Sequence, residues 1–307
     1  MTYSSGGLIE AADYNNRANN LNSYWGTGSG SNGYGQSTTL STVSATSTVA
    51  ATNWATLVAR LDSIRNHQSG TTSGITQPTA GGVITYLSAI DTQLVTITTN
   101  KLSANTRGTA VPTGLGNPAI TNSTGWTTSS TKEFSITFSS TDTVRYFFNA
   151  GGLITFYLTQ ASGANTKSTD WSTFYTNFIG TISFGSNSCS RSGTGGDNLT
   201  QNTSTGFHNL TTTYQTLFNI GSTSASADYG LNYMTIEAKV GGTLYGASSN
   251  VLYFRCISYD AAADVGAQDT VTGANAVYVG YTPPETTYLT TNAWSMASAV
   301  SVTNTQA

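Results

Sequence analysis

Charged side chains are scarce in this sequence. Only 8% of its 307 residues are Asp, Glu, Lys or Arg, against roughly a quarter in ordinary soluble domains. The 11 basic and 14 acidic residues leave a formal net charge of -3, which offers no positive surface for nucleic acid or for an anionic membrane. We therefore expect neither nucleic acid nor a membrane among its partners.

Cysteine and histidine are each represented by two residues. Cys189 and Cys256 could form at most one bridge, and a chain of this length can build its core without one, so we predict that both are dispensable and that Cys256 is buried. His67 and His208 belong to no HExxH sequence or Cys/His cluster, so each is predicted to be a surface or capping residue. No metal ion and no cofactor is predicted.

Long hydrophobic runs are absent from the sequence as well. No segment approaches the roughly 18 apolar residues that a membrane-spanning helix needs. Met1–Gly7 has neither the basic nor the apolar segment of a signal peptide. We expect the chain to begin as a soluble intracellular product.

Serine and threonine, by contrast, make up nearly a third of the chain, with 38 and 56 residues. A chain so polar and so low in charge could be disordered, but 37% of its residues are apolar, including 17 Tyr, 11 Phe and 5 Trp. That apolar content can bury enough surface to offset the entropy of folding. The length predicts a folded protein with about two folding units.

Two helical segments open the chain and resemble each other. Apolar residues recur at helical spacing in residues 8–25 and again in 48–67, and Gly26 and Gly70 follow as stop signals. A shift of forty residues places Tyr14 on Trp54 and Leu21 on Leu61. Two copies are too few for a solenoid, so the pattern favours duplication of a short helical element.

A third helix is predicted within residues 83–102, where apolar residues step by four and three. Leu87 and Leu94 would occupy a positions of a heptad, and Ile90 and Ile97 d positions. Leu at a with Ile at d favours coiled coils of three or four strands. These four residues are the predicted oligomer interface of a homotrimer; the alternative is an ordinary amphipathic helix that packs on its own chain.

From about residue 105 the pattern changes to short runs of β-branched and aromatic residues between turn residues, which is typical of strands. The sequence predicts an α+β protein with a helical attachment and oligomerisation region at 1–104 and a mainly antiparallel β-sandwich at 105–307. One short helix is expected within Asp170–Ile179. The predicted strands are 133–138, a hairpin of 144–148 with 153–158, then 181–184, 214–220, 231–240, 251–259 and 276–281, followed by a polar tail after Trp294.

Candidates for chemistry are few. Gly28–Gly33 matches GxGxxG, but it follows a predicted helix and therefore lacks the strand–loop–helix context of a dinucleotide site. Carboxylates for glycoside hydrolysis could come from a small set of residues, but no spacing singles out a pair, and solvated loop carboxylates are the expected state. This set is Glu133, Glu237, Asp260 and Asp264.

Aromatic residues surrounded by amides and hydroxyls form a further group. Such side chains can stack on sugar rings or build protein interfaces, although for any one of them the sandwich core is the expected place. The group comprises Tyr146, Tyr157, Tyr175, Tyr229, Tyr233, Tyr245 and Trp294.

Several short patches resemble virion structural proteins of tailed bacteriophages, notably the large myoviruses that infect cyanobacteria. In the helical region these are Asp13–Asn16, Trp25–Gly30, Gly33–Gln36, Asn53–Trp54 and Arg65–Gly70; in the β-region they are Arg145–Gly152 and Gly180–Gly185. The hundred C-terminal residues carry no such likeness. Since the family has no catalytic motif to carry over, the resemblance implies a structural role and no active site.

The predicted function is therefore a structural component of a tailed-phage virion, such as a homotrimeric fibre or a neck or collar appendage. The expected partners are further copies of the chain and other virion proteins, and the expected location is the virion. The alternatives are a host-glycan-binding adhesin of the tail or baseplate and a capsid decoration protein. An enzyme such as a glycan depolymerase is the least favoured alternative.

Overall fold

A computed structural model of the chain describes residues 10–79, 87–112, 115, 125–162, 165–222, 230–261, 270–290, 294 and the backbone of 296–306. The chain divides into two compact units. Unit 1 comprises Met1–Gly108, Arg145–Gly151 and Pro284–Trp294, and unit 2 comprises Thr109–Val144, Gly152–Pro283 and Ser295–Ala307. The predicted boundary at 104 thus lies close to the first change of unit, whereas the return of two later segments to unit 1 has no counterpart in the prediction.

Five α-helices and ten strands are found in the described part of the chain, which gives the predicted α+β fold. The helices are α1 (Ala11–Trp25), α2 (Ala51–Ser69), α3 (Leu87–Thr99), α4 (Thr141–Asn149) and α5 (Thr166–Thr173), the last continued by a π-helical segment at Phe174–Ile179. The strands are β1 (Ser129–Phe138), β2 (Leu153–Gln160), β3 (Ile182–Phe184), β4 (Cys189–Arg191), β5 (Asp197–Gln201), β6 (Gln215–Gly221), β7 (Tyr233–Val240), β8 (Val251–Tyr259), β9 (Asn275–Thr282) and β10 (Met296–Gln306).

Helices α1, α2 and α3 contact one another pairwise in unit 1. The residues that the forty-residue shift equates occupy matching places in α1 and α2. The rings of Tyr14 and Trp54 meet edge to face with centroids 5.4 Å apart, and Leu21 and Leu61 are fully buried. Both helices also begin alike, because the side chains of Asp13 and Asn53 each accept a hydrogen bond of 3.0 Å from the backbone N–H three residues earlier.

Two antiparallel sheets form unit 2. One has the strand order β10-β1-β8-β7-β6-β5 and the other the order β4-β3-β2-β9. Alternate residues of β1, β2, β7 and β8 are buried, as strands with one face on a core require. Phe134 and Phe254 of the first sheet meet Phe156 of the second with ring centroids 5.1 and 5.3 Å apart, so the sheets pack face to face as a sandwich.

The predicted hairpin at 144–158 is wrong in its first half, because residues 141–149 form helix α4. All residues from Thr143 to Ala150 are buried, and a short buried run of mainly apolar residues does not distinguish a helix from a strand. At the start of the helix, Ser140 Oγ accepts a hydrogen bond of 3.1 Å from the Thr143 N–H as an N-cap. Asp142 stands in the first turn, where a carboxylate is favourable.

The predicted polar tail after Trp294 is also wrong. Residues 296–306 form β10, which pairs with β1 from Ser130 to Phe138 at the edge of the larger sheet. Serine and threonine fill much of this strand, so its hydrophobic pattern is weak. Threonine nevertheless has a good strand propensity, and the exposed backbone groups of β1 supply hydrogen-bonding partners.

Candidate functional site

The predicted interface residues of α3 lie inside unit 1. Leu87, Ile90, Leu94 and Ile97 expose 3%, 0%, 6% and 0% of their surface in the single chain. This packing is that of the amphipathic helix on its own chain, the alternative that the pattern left open. Val95 on the same helix is 67% exposed, so the solvent-facing side of α3 also carries an apolar residue.

The glycine-rich loop after α1 binds side chains of its own chain, and it does so through carbonyl groups rather than N–H groups. Arg145 donates hydrogen bonds of 2.7 and 2.8 Å to the carbonyls of Asn32 and Thr27, and Asn149 donates one of 2.9 Å to that of Gly33. Gly33 has φ 96°, and a Cβ there would lie 2.3 Å from Thr27 O. The loop thus holds a buried guanidinium of its own chain, which excludes the phosphate-binding role that GxGxxG suggests.

The prediction for His67 is wrong, because its imidazole is 1% exposed in unit 1. It packs edge-on against the ring of Tyr34 at a centroid distance of 5.0 Å. Burial disfavours the charged imidazolium and lowers the pKa of His67 to about 4. His208 is half-buried in unit 2, where its Nδ1 lies 2.8 Å from the hydroxyl of Tyr245, in keeping with the predicted surface position.

Two of the candidate carboxylates face each other across an arginine. Glu133 and Glu237 both stand opposite Arg255, on β1 and β7 respectively. Arg255 forms an ion pair of 2.6 Å with Glu237, and its guanidinium lies 4.1 Å from the ring centre of Tyr214. The arginine occupies the space in which an acid/base pair would hold a substrate, so this arrangement stabilises the sheet surface rather than forming a hydrolase centre.

Asp260 differs from its predicted solvated state. Its side chain is 1% exposed and forms an ion pair with Lys167, whose side chain is 0% exposed. The fourth candidate, Asp264, lies outside the described residues.

A polar cluster that the sequence analysis missed lies on the inner face of the larger sheet. Lys132 is 1% exposed, donates a hydrogen bond of 3.1 Å to Ser130 Oγ and stands opposite Cys256. Burial lowers the pKa of Lys132 to about 8 and raises that of Cys256 to about 12. The signal was available, because Lys132 shares the alternation of Phe134 in β1 and must therefore point inward.

Both cysteines are free and buried. Cys256 lies in β8, as the apolar run predicted, and Cys189 lies in β4, where its thiol donates to the carbonyl of Asn202 at 3.3 Å. Burial also raises the pKa of Cys189 to about 12. Thiols with so little thiolate at neutral pH are poor nucleophiles, and the dispensability of the two residues stays a prediction.

The aromatic candidates fall into several environments. Tyr146, Tyr175 and Trp294 are buried, with exposures of 8%, 1% and 6%, while Tyr245 is 40% exposed. Tyr157 and Tyr233 are half-buried on the outer faces of the two sheets, and each is stacked on a tyrosine of the adjacent strand. Tyr229 lies outside the described residues.

The structure brings Tyr157 and Tyr175 together at a cleft of about 270 Å³ in unit 2. Of the residues of β2, Ile154–Phe156 alone pair with β3. The cleft therefore opens beside the remaining residues of β2, next to the end of the π-helical segment. Its lining is formed by Tyr157, Leu158, Thr159, Tyr175, Thr176, Gly180, Thr181 and Ser192. No charged side chain belongs to this lining.

The tyrosines of the cleft have different roles. Tyr157 stacks on Tyr278 of β9 with centroids 4.8 Å apart and planes 11° apart, which fixes the ring as a flat platform. Tyr175 is held in position by a hydrogen bond of its hydroxyl group, which lies 2.7 Å from Ser258 Oγ. Burial raises the pKa of Tyr175 to about 12. An aromatic platform ringed by hydroxyl groups without charge suits a neutral, polyhydroxylated ligand.

Comparison of the chain with models of protein families, with curated protein sequences and with solved structures found no match of any of the three kinds. In the part of the chain that the structure describes, no helix combines the length and the apolar character needed to cross a membrane. Within the same residues, no group of three or more His, Cys, Asp or Glu side chains is placed to hold a metal ion.

Proposed function

We propose that the protein is a structural component of a tailed-phage virion, a homo-oligomeric fibre or a neck or collar appendage. The observation that carries the proposal is the division of one low-charge chain into a helical unit and a separate antiparallel β-sandwich unit. The short patches that resemble phage virion proteins occur in both units. This layout suits a protein that attaches through one unit and presents the other.

The proposed oligomer is a trimer whose contacts do not need the buried face of α3. Several apolar side chains are exposed instead: Val95 at 67%, Leu199 at 59% and Leu231 at 69%. Single exposed apolar residues are common on monomers, so the association is tested by light scattering on the purified chain and on particles.

Labelling of phage particles tests the structural role. Antibodies raised against the purified chain should mark one defined substructure of particles made by the phage that encodes it, and the copy number by quantitative mass spectrometry should be a multiple of three. Detection of the chain only in the soluble fraction of infected cells would overturn the proposal.

A host-glycan-binding adhesin is the second candidate, and the cleft at Tyr157 favours it. Loss of the ring by Tyr157→Ala should abolish retention of the chain on immobilised neutral host polysaccharide. Tyr233→Ala removes a comparable stacked tyrosine from the other sheet and should leave retention unchanged. Equal retention of both variants would exclude the cleft as the site, and release of shortened glycan would indicate an enzyme instead.

A further inference from the structure

A lysine and an aspartate meet in the interior of unit 2. Lys167 stands in the first turn of α5, and Asp260 is the first residue after β8. Their side chains are 0% and 1% exposed, and Nζ of Lys167 contacts Oδ2 of Asp260 as an ion pair. The backbone N–H of Asp260 donates a hydrogen bond of 2.9 Å to Thr128 O, which fixes the position from which the carboxyl group projects.

Both side chains of the pair are shielded from solvent. Trp171, one turn further along α5, is 1% exposed. Asn232 Oδ1 accepts a hydrogen bond of 3.0 Å from the N–H of Ala261, so the residue after Asp260 is held as well.

Burial destabilises both the ammonium of Lys167 and the carboxylate of Asp260, because each loses its hydration. Removal of both ions from water costs more than their attraction returns unless further groups solvate them. Transfer of one proton from the ammonium to the carboxylate gives a neutral amine against a neutral carboxylic acid, which are the two reactants of amide formation.

The fixed contact between the two side chains also favours the amide over the separate amine and acid. Well-oriented groups within one molecule react with effective molarities of about 10⁵–10⁸ M, whereas the reverse reaction needs a water molecule at a site that is shielded from solvent. The same rigidity that holds the ion pair thus favours a covalent bond between its members.

We propose that Lys167 and Asp260 condense to an isopeptide bond. The lone pair of the neutral Nζ attacks Cγ of the protonated carboxyl group, the Nζ–Cγ bond forms, and one Cγ–O bond breaks. The hydroxyl group leaves with one proton of the amine as water, so no oxidant, reductant or other reactant is required.

Such a bond would tie α5 covalently to the end of β8. The two residues are far apart in sequence, so the bond would close a long loop and restrict the unfolded chain, as a disulfide does. This inference is independent of the virion proposal, because it concerns the chain alone and is tested on the purified protein.

Intact-mass spectrometry of the purified full-length chain is the primary test. We expect a mass lower than that of the sequence by one water molecule, after allowance for removal of Met1. Trypsin should fail to cleave after Lys167, and peptide mapping should find its peptide joined to the one that contains Asp260. A mass deficit that maps to a succinimide, or a chain of full mass without the joined peptide, would overturn the proposal.

Lys167→Arg is the matched variant, because arginine keeps the buried positive charge but lacks the condensing amine. It should have the full mass, lose the joined peptide and migrate more slowly than the wild type on a denaturing gel. Lys239→Arg, on the outer face of the larger sheet, is the control and should keep the deficit. Persistence of the deficit in Lys167→Arg would assign it to another pair of residues and overturn the proposal.

Discussion

The imidazole of His67 lies edge-on against the ring of Tyr34 in the interior of unit 1, with ring centroids 5.0 Å apart. The hydroxyl of Tyr34 in turn accepts a hydrogen bond of 2.8 Å from Gln68 and donates one of 3.0 Å to the carbonyl of Lys101. This packing leaves room for a neutral imidazole but gives little stabilisation to a charged one. A pH-dependent contribution to stability follows.

We expect the free energy of unfolding to fall as the pH is lowered from about 6.5 to about 4. The pKa of His67 is lowered to about 4 in the folded chain, so between these values the unfolded chain binds a proton that the folded chain does not. The stability is complete above pH 6.5, and about 3 kcal/mol is lost near pH 4. Urea unfolding of the wild type and of His67→Leu at several pH values measures the difference.

The difference in unfolding free energy between the wild type and His67→Leu isolates the contribution of His67, because the other titratable groups are present in both proteins. His208→Leu serves as the control, and its stability curve should keep the pH dependence of the wild type. A wild type and a His67→Leu variant with parallel curves from pH 7 to pH 4 would contradict the prediction.

Replacement of Ile90 by Asp tests the packing of α3. Ile90 is fully buried, so the carboxylate would lose its hydration without a partner, and the cost should be several kcal/mol. Circular dichroism at 222 nm should show loss of helix or a lower melting temperature. Val95→Asp on the exposed side of the same helix should leave both unchanged.

The same pair of variants also tests the predicted oligomer interface. Should Ile90→Asp keep its helix content and melting temperature but run as a monomer while the wild type is a trimer, the four α3 residues would form an interface between chains, as the heptad pattern predicts. Loss of folding stability in the monomer would instead establish the packing seen in the structure.

Arg145→Met should destabilise unit 1 by about 2–4 kcal/mol. The guanidinium is buried and donates to the carbonyl groups of Asn32 and Thr27 in the glycine-rich loop, so its removal takes a charged donor away from both carbonyls. Chemical unfolding monitored by helix content measures the loss. Arg17→Lys affects an arginine paired with the exposed Asp91 and should change stability by at most about 1 kcal/mol; equal effects of the two variants would contradict the assignment.

Limited proteolysis should cut the chain between residues 103 and 130, where the two units first meet in sequence. Because unit 1 also contains Arg145–Gly151 and Pro284–Trp294, the N-terminal fragment should stay bound to the rest of the nicked chain under native conditions. Gel filtration of the cut protein followed by a denaturing gel measures this. Cuts confined to the β-region, or release of a free N-terminal fragment, would contradict the division into units.

Local patterns were sufficient for most elements of the fold. Helical spacing predicted α1 and α2, and β8 lies at the predicted residues 251–259. These elements each have one buried and one solvent-facing side, so their periodicity is written in the sequence. The two helix copies even share the cap formed by Asp13 and Asn53, because that contact spans only three residues.

The sequence by itself determined the α+β class, the helices α1 and α2 and the alternation of the main strands, because each depends on neighbours within a few positions. Only the tertiary structure decided that residues 141–149 form a helix, that the serine- and threonine-rich end of the chain forms β10, and that Tyr157 meets Tyr175 at one cleft. It alone placed Lys167 against Asp260, since a contact between residues so far apart depends on how the elements pack, and no local pattern records it.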